Sequence, residues 1–319
     1  MTEKDGKKTI PLLTLSLLII SGAHMVSHVF GSIHNALFPV FREEFNLTLQ
    51  QLGLIAAIPP LCQVFSYIPS GLVADRFGQK TLIIASFVIA GTAAIGLGLS
   101  TNVVTLIIFL SILTTAITIY HPPAYSLTSE LFPREVRGRA LGIHGAGGTI
   151  GMALGPISLS LFLGVLLWGW RTIYIFWAIP ILLYILAILR LETKDKKEEN
   201  ARAQEEGLSQ DSSQQGTGSI LSASLIGFML FQGIRNMGRN IIMTFIPTYM
   251  HDNIGLTVAE AGFIYGAASL TGIIAAPAGG YITDRLGDKK WLMMAIGSYA
   301  FTLLLASLTQ NRILFTILY

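Results

Sequence analysis

Residues 71–80 read GLVADRFGQK, and residues 280–289 read GYITDRLGDK. The two segments are 209 residues apart, counted from position 71 to position 280. The identical pairs are Gly71 and Gly280, Asp75 and Asp284, Arg76 and Arg285, Gly78 and Gly287, and Lys80 and Lys289. Each segment lies between two long apolar stretches. Two copies in register at equivalent places indicate a duplicated membrane unit.

The glycines of the repeat have two physical roles. Gly71 and Gly280 precede the acid by one helical turn, where a missing Cβ allows a neighbouring backbone to approach. Gly78 and Gly287 can take a positive φ where the chain turns from one helix to the next. The charged residues are then expected at the membrane surface. A solvated tight turn with caps is the alternative, and the second copy argues against it.

The composition is that of a membrane protein. Of 319 residues, 52% are hydrophobic and 12% are charged, and the mean hydropathy is +0.62. These values exclude an ordinary soluble domain. The net charge is +3, and the basic residues lie in short segments between apolar stretches. We therefore expect the lipid bilayer, and no nucleic acid, as a partner. Cys62 is the single cysteine, which excludes an intramolecular disulfide.

Apolar stretches long enough to cross a bilayer recur along the chain. They are predicted at residues 10–40, 50–73, 81–99, 103–129, 139–167, 172–191, 219–250, 258–282 and 290–308. A tenth begins near Arg312 and reaches Tyr319, which is too short to cross. We therefore predict an all-α integral membrane protein with a six-helix bundle over 1–191 and a partial bundle over 219–319. Residues 192–218 are charged and then rich in Ser, Gln and Gly, and predict a polar linker.

The basic residues predict the orientation. Sixteen Lys and Arg residues lie on the side of the N-terminus and the signature segments. Only Arg42, Arg171 and Arg312 lie on the other side. The positive-inside rule then places the N-terminus, the linker and the signature segments in the cytoplasm, in a multi-pass protein of the cell membrane.

Three histidines interrupt the apolar first helix. At about 100° per residue, His24 and His28 lie about 40° apart on one face, and His34 follows further along. Ionisable residues inside a span usually face a cavity. They are either satisfied interhelical histidines or groups that contact substrate or couple to protons. Metal binding is possible from the spacing of His24 and His28 alone, but no glutamate completes a His-Glu-x-x-His pattern, so no metal site is predicted.

The seventh and fourth helices carry further polar groups. The seventh has Gln232, Arg235, Asn236 and Arg239. Two guanidiniums one turn apart favour an anionic substrate, with an internal ion pair or snorkelling as the alternative. The fourth has a stripe at spacings of four, three, four and three, formed by Thr114, Thr118, His121, Tyr125 and Thr128. It predicts a cavity wall, unless the hydroxyls bond to their own backbone beside a kink at Pro122 and Pro123.

The fifth helix has a pattern of small residues. Gly147, Gly151 and Gly155 recur every four residues before Pro156. Such a pattern allows two helices to pack closely, and helix packing is the favoured interpretation.

The repeated Gly-x-x-x-Asp-Arg-x-Gly-x-Lys segment resembles the signature loop of the major facilitator superfamily of transporters. The resemblance implies two six-helix bundles with pseudo-two-fold symmetry and a central site, so that this chain, with nine spans, looks truncated. It also implies cytoplasmic ion pairs of Asp75 and Asp284 with nearby arginines. The arginines are Arg76, Arg285, Arg137 and Arg139. The glycines before Pro156 resemble a motif of proton-coupled antiporters, although Leu159 and Ser160 replace its usual glycine pair.

Shorter stretches resemble the fosmidomycin-resistance branch of this superfamily. They are Ala23-His24, Val29-Phe30, Pro39, His121-Pro122, Ser126 and the glycines up to Gly155-Pro156. The branch implies drug export only by analogy.

The sequence as a whole predicts a secondary active transporter. We expect a small-molecule substrate bound by the polar groups of helices one, four and seven, with protons or sodium as the coupling ion. Proton-coupled efflux of a drug-like or anionic compound is the first expectation. Uptake of an organic anion, or a membrane receptor or scaffold without transport, are the alternatives. No nucleophile and base stand out, so no enzyme and no cofactor are predicted, and the oligomeric state stays open.

Overall fold

The protein is described by a computed structural model over residues 14–191 and 223–319. These two ranges contain ten α-helices and no strand. The helices are α1 (Leu15–Glu44), α2 (Leu49–Phe77), α3 (Gln79–Gly98), α4 (Val103–Leu131), α5 (Arg134–Ser160), α6 (Trp170–Leu189), α7 (Ala223–Asp252), α8 (Val258–Leu286), α9 (Asp288–Leu308) and α10 (Arg312–Leu318). A π-helical turn, Leu161–Val165, continues α5.

Eight of the described helices are long and apolar enough to cross a membrane. The long helix α7 is not among them, although it has 30 residues, because its polar and charged side chains lower its hydropathy. Helix α10 has 7 residues. The predicted all-α membrane fold is confirmed, and the predicted linker at 192–218 lies outside the described residues.

Some predicted boundaries are wrong. The sequence predicts spans that end at residue 129 and begin again at residue 139, but α5 begins at Arg134. Pro133 is its N-cap residue, and the fixed φ of proline suits the start of a helix. Glu135 lies in the first turn, where its negative charge interacts favourably with the positive end of the helix dipole. Helix α1 continues through Pro39 to Glu44, four residues beyond the expected end.

The two signature segments have the same backbone turn. Gly78 joins α2 to α3 with φ 86° and ψ 146°, and Gly287 joins α8 to α9 with φ 82° and ψ 149°. Side chains with a Cβ rarely adopt this region. The repeat in sequence is therefore also a repeat in backbone geometry.

The first half of the molecule, α1 to α6, has an extensive core. Helix α1 packs most extensively against α5 and also contacts α4 and α6, whereas α3 packs against α4 and α6, and α2 packs against α4. Large buried side chains at these contacts include Phe30, Phe38, Phe87, Tyr120 and Tyr174. This half places α1 at its centre, with polar groups of α1 facing α4 and α5.

The second half, α7 to α10, meets the first through α5 with α8 and α1 with α7. We call the end of the bundle with Gly78 and Gly287 the signature side, and the end with Glu44 and Asp252 the far side. On the far side Arg42 forms an ion pair with Asp252, and His251 Nε2 lies 3.0 Å from Glu43 Oε1. The two halves are thus tied together on the far side.

Candidate functional site

A polar cavity of about 350 Å³ lies between α1, α2, α4 and α7. Both halves of the molecule contribute to its wall. The polar lining residues are Ser27, His28, His34, Asn35, Gln63, Tyr67, Thr114, Thr118, His121, Asn240 and Thr244. No carboxylate is among the described residues that line it. The wall therefore offers hydrogen-bond donors without a fixed negative charge.

A cluster of histidines borders this cavity. The Nε2 atoms of His24 and His28 are 3.0 Å apart, as expected from their shared face of α1. The ring of His121, from α4, has its centroid 5.3 Å from that of His24 and 5.1 Å from that of His28. His28 and His121 line the cavity, whereas His24 lies behind them at 3% exposure.

A fourth histidine, His144, belongs to the cluster and was missed in the sequence. Its ring stacks on His24 at 4.1 Å with an interplanar angle of 6°, and neither of its ring nitrogens has a hydrogen-bond partner in the described part of the chain. The signal was present, because His144 lies three and seven residues before Gly147 and Gly151. The glycine face of α5 thus carries a histidine towards α1.

Close contact between α1 and α5 positions these rings. A Cβ at each of three glycines of α5 would overlap a main-chain carbonyl oxygen of α1. The pairs are Gly147 with Ser21, Gly151 with Met25, and Gly155 with Val29. Pro156, next in α5, is buried, and its carbonyl oxygen faces Gly262 of α8. The small-residue face thus serves the contact of α5 with both α1 and α8.

The α4 stripe divides between the cavity and the helix backbone. Thr114, Thr118 and His121 line the cavity, yet the Thr118 hydroxyl donates to the Thr114 carbonyl at 2.9 Å. Thr128 is buried and donates to its own helix. Tyr125 is 44% exposed, and its ring centroid is 5.0 Å from that of His144. Helix α4 runs unbroken through its two prolines.

The polar residues predicted on the seventh helix do not line this cavity. Arg235 and Arg239 are exposed on α7, and Gln232 is half-buried. Arg239 interacts electrostatically with three tyrosines of the second half, Tyr265, Tyr299 and Tyr319. Helix α7 instead contributes Asn240 and Thr244 to the wall. His34 lines the cavity, with Nδ1 3.3 Å from the Phe30 carbonyl oxygen.

The expected ion pairs of the signature side are not formed between described side chains. Asp284 and Arg139 are exposed, and Arg137 Nε donates to the Phe132 carbonyl at 3.2 Å. Arg76 and Arg285 stack over neighbouring aromatic rings. The side chain of Asp75 lies outside the described part. Ion pairs are found instead on the far side, where Arg171 also binds Glu44 at 2.5 Å.

The first glycine of each signature segment is not a close contact. A Cβ at Gly71 or Gly280 would meet no described atom within 4 Å. The expected approach of a neighbouring backbone is therefore not found among the described residues.

A bundle of long apolar helices around a polar cavity defines a multi-pass membrane protein. The sequence pattern of the Major Facilitator Superfamily matches residues 20–319, so the chain belongs to that superfamily. The family expected from the signature segments is thereby confirmed.

Among curated proteins, the chain is 24% identical over 283 residues to the 4-hydroxybenzoate transporter PcaK of Acinetobacter baylyi, covering 79% of this chain and 61% of that protein. It is 25% identical to the probable nitrate transporter NarT of Staphylococcus haemolyticus, covering 99% of this chain and 77% of that protein. The solved D-xylose-proton symporter has the same fold, with a TM-score of 0.75 and 17% identity, over 95% of this chain and 78% of that chain. The chain thus spans between about three fifths and four fifths of these lengths.

Proposed function

We propose that the chain provides the substrate pathway of a secondary transporter that moves a small anion by alternating access. The observation that carries the proposal is the polar cavity shared by the two halves, with His28 and His121 on one wall and Asn240 and Thr244 on the other. A site built from both halves changes its access when one half rocks against the other. Transport of this kind needs no covalent step.

Two observations favour an anion as the substrate. The described lining has no carboxylate and many hydrogen-bond donors, and charged acceptors form stronger hydrogen bonds than neutral ones. The two curated relatives are named for 4-hydroxybenzoate and nitrate, which are both anions. Arg239 directly precedes the lining residue Asn240, so a rotation of α7 would bring a guanidinium towards the cavity.

Proton coupling is the second part of the proposal. His28, His34 and His121 line the cavity, and imidazole changes charge near physiological pH more readily than any other side chain. Protonation of one ring would add a positive charge beside the anion. We therefore propose proton-coupled efflux, with sodium coupling and anion uptake as the outcomes that the assay separates.

The ion pairs support a model of gating. The far side holds the pairs of Arg42 with Asp252 and of His251 with Glu43 across the two halves, while Arg76, Asp284 and Arg285 of the signature segments are exposed. We propose that this arrangement is closed on the far side and open on the signature side. The positive-inside rule assigns the signature side to the cytoplasm. Asp75 and Asp284 would pair with arginines when that side closes.

Flux measurements on the full chain, reconstituted in liposomes, test the function. We expect saturable flux of labelled 4-hydroxybenzoate or nitrate above that of protein-free vesicles, no flux of D-xylose, and stimulation by a proton gradient directed opposite to the anion flux. Stimulation by a proton gradient in the same direction as the anion flux would indicate uptake instead. Stimulation by a sodium gradient, without stimulation by a proton gradient, would indicate sodium coupling instead of proton coupling. Specific binding without flux would instead support a receptor or scaffold.

The gate has its own test. Asp75→Asn and Asp284→Asn should each lower flux more than they lower the amount of protein in the membrane, because the aspartates act in only one state of the cycle. Equal loss of flux and protein would assign them a folding role. The matched control is Asp288→Asn, an acid next to the second signature glycine but outside the predicted gate.

A closer relation to the fosmidomycin-resistance branch stays a prediction. It rests on His121-Pro122 and on the glycines before Pro156, whereas PcaK and NarT are named for other substrates. Resistance conferred on a sensitive host by the expressed chain would support it, and resistance equal to that of the empty vector would contradict it.

A further inference from the structure

The histidine cluster has the composition of a metal site. His24 and His28 of α1 and His121 of α4 each offer a ring nitrogen, and these three atoms all lie within 4.8 Å of one another. We propose that the three histidines bind one first-row transition-metal dication, for which Zn²⁺ is the experimental probe. The proposal does not depend on the transported solute, so it is tested separately from the flux measurements. With the ion bound, His34, which lies outside the group, is the cavity histidine left to take up a proton.

The distances fit a small ion with tetrahedral geometry. Zn²⁺ binds imidazole nitrogen at about 2.0–2.1 Å, so two nitrogens on one tetrahedral ion are about 3.4 Å apart. The Nε2 atoms of His24 and His28 are already 3.0 Å apart. Without an ion, two ring nitrogens at this distance share one proton. The third nitrogen, from His121, lies within 4.8 Å of the other two, and ligation requires the His121 ring to move closer.

One ligand is already oriented by the protein. His24 Nδ1 lies 2.7 Å from the main-chain oxygen of His144. A carbonyl oxygen only accepts, so Nδ1 carries the proton and the lone pair is on Nε2, the atom that faces His28. A metal-binding histidine is commonly held in this way, through a hydrogen bond from its other ring nitrogen to a carbonyl.

A glycine of α5 leaves room for the two rings of α1. A Cβ at Gly148 of α5 would lie 2.7 Å from His24 Cε1 and 2.9 Å from His28 Cδ2. Both rings therefore occupy space that only a glycine leaves free. His144 stacks on His24 and has no hydrogen-bond partner for its ring nitrogens among the described residues, which adds a fourth imidazole to a region that lacks acids.

The ligand set indicates the class of metal. Three neutral imidazoles suit Zn²⁺, Cu²⁺, Ni²⁺ or Co²⁺, whereas Mg²⁺ and Ca²⁺ prefer oxygen ligands. His28 and His121 border the cavity, so the fourth position of a tetrahedral ion would be open to water. The sequence alone predicts no metal site, because α1 supplies only His24 and His28 and the third ligand, His121, is on α4. Here the ligands come from two helices that are distant in sequence.

The test is a titration of metal ions into the untagged, metal-stripped full chain in detergent, with the heat of binding measured by calorimetry. We expect one Zn²⁺ per chain, no heat from Mg²⁺, and visible absorption bands of a four-coordinate site when Co²⁺ replaces Zn²⁺. His24→Ala, His28→Ala and His121→Ala should each lower the Zn²⁺ affinity at least about 100-fold, because loss of an outer partner alone lowers metal affinity about 10–100-fold. His34→Ala is the matched control, a histidine of the same cavity outside the cluster, and should bind Zn²⁺ as the unchanged protein does.

Thermal unfolding guards against variants that do not fold. Zn²⁺ should raise the unfolding temperature of the unchanged protein and of His34→Ala, and should not raise that of folded His28→Gln or His121→Gln, whose size-exclusion profiles are normal. Absence of Zn²⁺ binding by the unchanged protein overturns the proposal. Equal loss of binding in His34→Ala, or unchanged binding in the three cluster variants, also overturns it.

Discussion

The two halves of the molecule have the same helix ends but different interiors. Thr48 and Thr257 both form capping boxes at the start of a helix, and Gly78 and Gly287 end those helices with nearly the same φ and ψ. The first half has an extensive buried core. The described second half has one small cluster around Met250. The duplication thus kept the local backbone signals, while the packing of each half differs.

The chemistry of the interiors differs as well. At a spacing of 208 residues, seen in Pro39 and Pro247, the positions of His24 and His28 correspond to Gln232 and Asn236, and those of Ser27 and Gly31 correspond to Arg235 and Arg239. At these corresponding positions the first half has imidazoles near the cavity, whereas the second half has amides and guanidiniums. The repeat preserves neither the chemistry of these residues nor their place at the cavity, because α7 lines the cavity with Asn240 and Thr244 instead.

A residue identical in the two copies can also have different contacts. Lys80 Nζ donates to the carbonyl oxygens of Leu189 at 2.9 Å and Leu191 at 2.7 Å, at the end of α6. Lys289 is exposed and has no hydrogen-bond partner among the described residues. A cation at a helix C-terminus stabilises unpaired carbonyl groups, and only the first copy of the signature makes that contact.

The largest effect is expected where the first half is packed most tightly. Gly151→Leu places a side chain against the main-chain oxygen of Met25, which should destabilise the protein by about 3 kcal/mol or more. Size-exclusion chromatography should find little monodisperse protein. Gly145→Ala in the same helix is the control, since its Cβ meets no described atom within 4 Å. A normal yield of Gly151→Leu would show that α1 and α5 can separate at little cost.

The shared turns allow a direct comparison of the halves. Gly78→Ala and Gly287→Ala each force a Cβ into a backbone region that costs about 1–3 kcal/mol. Neither Cβ meets a described atom within 4 Å, so the two costs should be equal within about 0.5 kcal/mol. Unfolding temperatures of the two variants and their double variant measure this. Clearly unequal shifts would break the equivalence of the two turns.

Substitution of the two signature lysines should affect stability differently in the two halves. Lys80→Met removes two hydrogen bonds to the end of α6 and should cost about 1 kcal/mol, less than a buried charged hydrogen bond because the group is partly exposed. Lys289→Met should leave the unfolding temperature unchanged. A fall for Lys289→Met as large as that for Lys80→Met would indicate a contact of the second copy beyond the described residues.

The smallest effect is expected at the far side, where the halves meet. The Arg42 and Asp252 side chains are 34% and 30% exposed, so Asp252→Asn should shift the balance between the two access states by less than about 1 kcal/mol. A cysteine placed on the far side should react faster with a water-soluble thiol reagent in this variant. The charge exchange Arg42→Asp with Asp252→Arg should restore the slow rate. Failure of the exchange to restore it would mean that the pair does not hold the far side closed.

The sequence alone determined the features that depend on neighbouring residues. Helix and membrane spans follow from apolar stretches of sufficient length, the turns at Gly78 and Gly287 follow from a backbone region that favours glycine, and the shared face of His24 and His28 follows from the helical period. The start of α5 at Arg134 does not follow from the sequence in this way, because Pro133 lies between the end of one helix and the start of the next.

Only the tertiary structure decided which helices meet, because that depends on surface shape over long sequence distances. The glycine face of α5 brings α1 close enough for His144 to stack on His24, and α4 then places His121 beside both histidines of α1. The same packing leaves Arg235 and Arg239 away from the cavity, although their spacing along α7 suggested a site. Periodicity assigns a residue to one face of its helix, and the packing of whole helices selects what that face meets.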